Sequence, residues 1–154
     1  MNDLQTLYPA KEYNSFRALL GDVVSEYPEN NAFIIKKDKN KKEYTYIKYK
    51  QFYSDIEKLG TALKNTLSAT GKIAIISQNR YEWMLSYFTS LIGGFMAVPL
   101  DKGLSQKEIE SLLSRSGATC VIFGSEYEEM LREISQNGNT CVSKYICTDE
   151  NTSF

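Results

Sequence analysis

The chain has 154 residues, 42% apolar and 24% charged, a balance that supports one folded domain with a real core and sets aside disordered and collagen-like classes. With 18 basic and 19 acidic residues the formal charge is -1, so no global field draws in nucleic acid, and such a role needs a local patch. No histidine is present, which removes Ser-His-Asp triads, Cys-His pairs and mixed-ligand zinc sites; Cys120, Cys141 and Cys147 follow no CxxC spacing and suit a reducing cytosol.

The segment from Met1 to Tyr13 is polar and carries no apolar stretch of a signal peptide. Ser15 opens a helical pattern in which Phe16, Leu19, Leu20, Val23, Val24 and Tyr27 recur at steps of three and four, and Pro28 ends it; this predicts a docked first helix. Ala32 to Lys36 and Tyr44 to Ile47 are β-rich runs, and the residues between them, Lys37 to Glu43, read as a charged hairpin loop. Phe52, Ile56, Leu59, Leu63 and Leu67 then mark one face of a long helix, with Gly71 as its expected C-cap.

From Lys72 onward short apolar strands alternate with helical segments. The strands are Ile73 to Ser77, Met96 to Pro99, Cys120 to Phe123 and Tyr145 to Cys147, with Met96 to Pro99, Cys120 and Cys147 expected in buried positions. Three helices are expected to open on capping pairs: Asn79 with Glu82, Ser105 with Glu108, and Ser125 with Glu128. This alternation predicts an α/β fold, an open, mostly parallel twisted sheet with helices on both faces, preceded by an N-terminal helix and a β-hairpin. Residues 1–154 form a single domain on this reading: 1–50 the helix and hairpin, 51–148 the βαβ units, and 149–154 a polar tail.

One stretch tests the soluble reading. Trp83 to Leu100 is an uncharged run of 18 residues, near the length of a bilayer span. Ser86, Thr89, Ser90, the Gly93-Gly94 break and Pro99 instead describe a helix that ends in a close-packing turn and a strand that follows.

Chemistry-bearing patterns are sparse. Neither GxGxxG nor GxxxxGK occurs, and Gly71-Lys72 and Gly93-Gly94 both lead into strands, which is not the context of a phosphate cradle. Lys36, Lys37, Lys39, Lys41, Lys42, Lys48 and Lys50, interleaved with Tyr44, Tyr46 and Tyr49, match either contact with an anionic surface or a solvated hairpin that protects a sheet edge. Asp38 and Glu43 interrupt the run and favour the second. The carboxylates Asp55/Glu57, Glu108/Glu110 and Glu128/Glu129 read as solvent faces and caps. Tyr81, Trp83, Tyr87 and Phe88 read as packing between helix and sheet rather than a ligand pocket.

Four segments in order carry a family resemblance. Tyr44 to Phe52 resembles the "TY.EL" motif near the start of adenylate-forming enzymes; Gly71 to Ile76 with Asn79, Glu82 and Trp83 resembles their "GD.V.I...N..EW" segment. Leu91 to Asp101 resembles "L..GA..VPLD", and Glu108-Ile109 with Ser116-Gly117-Ala118 continues the pattern, so the similarity runs from about Ser15 to about Phe123. Val98 to Lys102 and Asn31 to Phe33 are most similar to long- or medium-chain acyl-CoA synthetases.

The resemblance implies the N-terminal part of a cytoplasmic ligase that uses ATP, Mg and coenzyme A to activate a fatty acid through an acyl-adenylate. The family's phosphate loop, nucleotide site and catalytic lysine lie outside Met1 to Phe154. No catalytic, cofactor-binding or metal residue is therefore assigned here, and the 154 residues alone are expected to be inactive and to hold no cofactor. They are expected to self-associate through a face meant for the rest of the enzyme, to bind no nucleic acid, and to touch membranes at most peripherally. The alternatives are a stand-alone α/β binding or interaction module, and an adenylating enzyme for amino or aryl acids.

Overall fold

The computed structural model describes residues 11–36, 42–67 and 71–149. Helix α1 (Phe16–Glu26) leads into a hairpin of β1 (Asn31–Lys36) and β2 (Tyr44–Lys48) and then into α2 (Tyr49–Thr66). Alternating strands and helices follow: β3 (Lys72–Ile76), α3 (Tyr81–Gly93), β4 (Met96–Pro99), α4 (Gln106–Ser116), β5 (Cys120–Phe123), α5 (Glu128–Asn137) and β6 (Lys144–Cys147). The hairpin forms its own two-stranded antiparallel sheet, and the other four strands form a parallel sheet in the order β4-β3-β5-β6. This is the α/β architecture expected from the sequence, with its parallel sheet preceded by a helix and a hairpin.

Strand β3 sets the layering. Its side chains alternate across the sheet, so Ala74 and Ile76 join Val121 and Phe123 on one face, while Ile73 and Ile75 join Cys120 and Ile122 on the other. Burial on both faces explains why β3 and β5 are continuously apolar. The first face is covered by α4 and α5 through Ile109, Leu113, Leu131 and Ile134; the second is covered by α2 and α3 through Leu63, Trp83 and Tyr87. From β3 the chain steps one way along the sheet over the α3 face, then the other way over the opposite face. Direction and face reverse together, so the hand of the crossovers is kept.

A third apolar cluster lies outside the sheet layers, where Leu20 of α1, Phe52 and Ile56 of α2, and Phe33 and Ile47 of the hairpin meet Tyr81, Leu85 and Phe88 of α3. Phe33 packs edge-on against Phe52 and Tyr81 at 4.9 and 5.2 Å between ring centroids. Helix α3 is thus apolar on two sides because it is covered on two sides, which accounts for the uncharged run from Trp83. Its buried Ser86 and Ser90 donate to the carbonyls of Glu82 and Ser86 at 2.7 and 2.8 Å. Among the described residues no helix is long and apolar enough to cross a membrane.

Several local expectations are corrected. Helix α2 ends at Thr66 with Leu67 as its C-cap, not Gly71. Helix α3 starts after Arg80, with no side-chain capping bond, and Glu82 accepts from Arg80 Nε at 2.8 Å. Ser125 opens a short 3-10 turn, and α5 begins at Glu128 without a side-chain cap. Only the Ser105/Glu108 pair forms: the Glu108 carboxylate accepts the Ser105 backbone N–H at 2.8 Å and its hydroxyl at 2.6 Å. Strand β4 lies at the sheet edge and leaves Met96 exposed, so it is not a buried strand. In α1 only Leu20 is fully buried; Phe16, Leu19 and Tyr27 remain exposed, because the helix touches the body through one narrow seam.

The Gly93-Gly94 pair is a close-packing turn as expected. A Cβ on Gly93 would lie 2.9 Å from the Phe95 ring, and Gly94 caps α3 in the left-handed region at φ 81°. Gly94→Ala is therefore expected to destabilise the fold by roughly 1 kcal/mol. Gly21→Ala, in a helical position with open space around it, is expected to stabilise it by about 0.5–1 kcal/mol. Urea unfolding of the two variants checks the pair, and equal signs would refute the assignment of strain to Gly94.

Candidate functional site

The strand order reverses between β3 and β5, and in open doubly wound sheets this is where a ligand crevice opens, beyond the C-terminal strand ends. The segments that leave those ends are joined by a network of polar contacts. The Gly124 N–H donates to the Ile76 carbonyl at 3.0 Å, which keeps the chain beyond β5 against β3. The Glu126 carboxylate accepts the backbone N–H of Gln78 at 2.9 Å, and Lys102 Nζ donates to Gln78 Oε1 at 3.3 Å. Tyr127, buried below, donates its hydroxyl to the Lys102 carbonyl at 3.0 Å.

At the centre Arg80 places its fork on Asp149, with nitrogen–oxygen distances of 2.6 and 3.1 Å. Asp149 also accepts the Ser125 N–H at 2.8 Å, so one carboxylate ties the loops that follow β3, β5 and β6. The Arg80 guanidinium, with help from the Ser125 N–H, holds the Asp149 carboxyl down to about 2, and the same pair raises the arginine. Asp149 therefore belongs to this network and not to a polar tail. The residues after it lie outside the described structure.

The chemistry this arrangement can perform is restricted. Its charged groups are engaged with carboxylates and amides of the same chain, and a bridged crevice is a strut rather than a pocket. Among the described residues no group of three metal-ligating side chains occurs. The Cys120 thiol is pushed up to about 12 by burial in β5, which makes it packing material and not a nucleophile.

Beside the crevice runs an open groove of about 620 Å³ between β1 and the start of α3, lined by Phe33, Ile35, Arg80, Tyr81, Trp83 and Met84. Tyr81 donates to Asp55 at 2.8 Å, and burial, followed by that bond, raises its phenol. A smaller cleft of about 160 Å³ between α2 and α3 is lined by Gly60, Lys64, Thr89 and Gly93, with Arg17 donating to the Ile92 carbonyl at its rim.

The groups singled out in the sequence are dispersed. Trp83 and Tyr87 stack on one another against the sheet, as expected of packing, but Tyr81 and Phe88 face the third cluster, and Tyr81 and Trp83 also line the groove. Glu108 is a cap, and Glu128 pairs with Arg132. Asp55 is not simply on a solvent face, because it accepts from Tyr81 and from Gln51. Lys48 and Lys50 both bond Glu29, holding that carboxyl down to about 2. Lys37, Lys39 and Lys41 lie outside the described residues. The Arg80–Asp149 bridge was not legible in advance, since its partners are 69 positions apart. The usable signal was position, each following the C-terminal end of a strand.

Comparison with known proteins places this geometry. The family model for AMP-binding enzymes matches residues 20–153. A 4-hydroxybutyrate–CoA ligase of Metallosphaera sedula is 30% identical over 87 residues, covering 56% of this chain and 16% of that protein. A long-chain-fatty-acid–CoA ligase of Archaeoglobus fulgidus superposes with a TM-score of 0.80 at 15% identity, covering 94% of this chain and 30% of that one. A fatty acyl-CoA synthetase of Mycobacterium tuberculosis gives 0.78 at 19% identity, covering 88% and 26%. The adenylation and carrier didomain of a carboxylic acid reductase from Segniliparus rugosus gives 0.78 at 13%, covering 93% and 22%. The chain thus spans about a third or less of these relatives' lengths.

The bridge has a pH signature. Because the folded Asp149 carboxyl titrates below its ordinary 3.8, its contribution is present in full above about pH 5 and is lost as pH falls from about 4 toward about 2. Asp149→Asn should therefore lower the urea midpoint at neutral pH, and its deficit against the parent chain should shrink across that acid window. Glu29 titrates in the same range in both proteins, so the difference isolates Asp149. A deficit that does not change with pH would refute the bridge.

Proposed function

This chain belongs to the AMP-binding enzyme family, and on that premise we propose that residues 1–154 are the N-terminal scaffold subdomain of a fatty-acid–CoA ligase. The observation that carries the proposal is the family match over residues 20–153. The parent would join a long- or medium-chain carboxylic acid to coenzyme A in the cytoplasm. A carboxylate oxygen bonds to the α-phosphorus of ATP as the bond to pyrophosphate breaks. The thiol sulfur of coenzyme A then bonds to the acyl carbon, AMP leaves, and the thiol proton passes to solvent.

Fatty acids are proposed over other acids because the motif residues at Val98 to Lys102 and Asn31 to Phe33 look most like those enzymes. The relatives named above differ among themselves in acid and acceptor, so their likeness supports the reaction class more than the chain length of the substrate. Both steps need donors and a metal placed against phosphate charge. Among the described residues no cluster of carboxylates fits a magnesium ion, so such ligands and the phosphate loop would belong to parts of the parent outside these residues. The bridged crevice supports a scaffold over a stand-alone binding module. The exposed Phe16, Leu19 and Tyr27 on α1 support self-association of the isolated chain, and peripheral membrane contact fits a substrate that partitions into lipid.

The test is acid-dependent exchange of pyrophosphate into ATP, followed by thioester formation with coenzyme A. The protein read from the gene through and beyond the codon for Phe154 should show both with a fatty acid, while the 154-residue chain should show neither. That chain should also bind a hydrophobic dye and sediment as more than a monomer. No exchange with any carboxylic acid would overturn the ligase reading; exchange by the 154 residues alone would overturn the scaffold reading.

A further inference from the structure

The cleft between α2 and α3 contains a polar group that the fold leaves unsatisfied. Thr89 lines it, is 0% exposed, and its hydroxyl has no hydrogen-bond partner. The hydroxyls of Thr61 and Thr66 on α2, and of Ser86 and Ser90 on α3, all donate to the carbonyl four residues back. Thr89 does not, and a buried hydroxyl without a partner is costly and rare.

The groups around Thr89 decide what would bond it. Arg17 of α1 and Lys64 of α2 line the same cleft, are exposed at its mouth, and make no ion pair among the described residues. One nitrogen of Arg17 donates to the Ile92 carbonyl at 3.0 Å, which offsets the carbonyl end of α3 and leaves the rest of its fork for another acceptor. Glu57 also lines the cleft and works against an anion, but it is exposed and the two cations outnumber it. Gly60 keeps the wall beside Thr89 low, since a Cβ there would stand 3.6 Å from Thr89 Cγ2. The volume is about 160 Å³. A water molecule takes about 30 Å³ of liquid, so a ligand of about five heavy atoms fits and a nucleotide does not.

We propose that this cleft is a binding site for a small oxyanion, held by the buried Thr89 hydroxyl and by Arg17 and Lys64 at the mouth. The three groups come from three helices, so the ligand ties α1, α2 and α3 together. Helix α3 runs from the C-terminal end of β3 to the N-terminal end of β4, which is parallel to it, so Gly93 and the cleft lie at the opposite end of the sheet from the bridged crevice. The site stands on these residues alone and does not rest on the ligase reading.

The experiment is a titration of the 154-residue chain with sodium phosphate, and separately with sodium acetate, followed by amide NMR at constant pH and with sodium chloride holding the ionic strength. Saturable shifts are expected at Gly60, Thr61, Thr89 and Gly93, and the anion that saturates at the lower concentration shows whether the ligand is tetrahedral or planar. Thr89→Val keeps the shape and removes the hydroxyl, and should weaken binding about ten-fold, the worth of a hydrogen bond to a charged group. Lys64→Gln should weaken it several-fold, while Lys107→Gln, on an exposed position of α4, should leave it unchanged. In chloride alone Thr89→Val should have a urea midpoint no lower than the parent chain, because it removes an unsatisfied hydroxyl. Phosphate should then raise the midpoint of the parent more than that of the variant, beyond the general effect of an excluded salt. A cleft that holds water alone would show no saturation with either anion. That result, equal affinity in Thr89→Val, or a Thr89→Val chain clearly less stable than the parent in chloride would each overturn the proposal. None of these outcomes bears on pyrophosphate exchange, so failure here and failure of the ligase reading are distinguishable.

Discussion

Everything in this fold depends on covering α3 from two sides. A helix without charge along most of its length is poorly suited to water on all sides, and in this chain two of its sides are covered by other elements. Trp83 and Tyr87 close the sheet face formed by Ile73, Ile75 and Ile122, while Tyr81, Leu85 and Phe88 close the cluster formed by α1, α2 and the hairpin. The N-terminal helix and hairpin are therefore not an appendage to the βαβ units. They complete the burial of the first crossover helix, and α2 serves both clusters, through Leu63 on one side and Phe52 and Ile56 on the other.

The same arrangement limits the chemistry. The reversal of strand order between β3 and β5 opens the place where such sheets usually hold a ligand, and here Arg80, Asp149, Glu126 and Gln78 bridge it. A bidentate arginine with both oxygens of its carboxylate engaged has no spare fork to offer a phosphate.

Short-range features were legible in the sequence and long-range polar ones were not. The four parallel strands, the packing turn at Gly93-Gly94 and the Ser105/Glu108 cap depend on residues within a few positions of one another, so pattern and propensity locate them. The other two capping pairs fail because a distant or neighbouring partner outcompetes the cap. Glu82 goes to Arg80, and the Ser125 N–H goes to Asp149, 24 positions away. Helix α1 shows a second limit. Periodicity marks Phe16, Leu19 and Leu20 alike, yet only contact with α2 and α3 decides that Leu20 is covered and its neighbours are not. The groove between β1 and α3 was equally invisible, being made by elements about 45 residues apart that no local pattern connects.

Two apolar surfaces remain uncovered. The α1 row lies beside Asp22 and Glu26, which are paired with Lys11 and Tyr13 and leave that side acidic to neutral. An anionic bilayer would repel it, whereas a protein surface would not, so it is the better candidate for contact with further protein. The hairpin's outer face instead presents Ile34, Tyr44 and Tyr46 to solvent. Because α1 and the hairpin meet in one cluster through Leu20 and Phe33, whatever covers either surface bears on the same small core. That cluster also holds the N-terminal half of α3 through Tyr81, whose neighbour Arg80 anchors the bridged crevice, so a load on the hairpin has a short packed path to the strand ends.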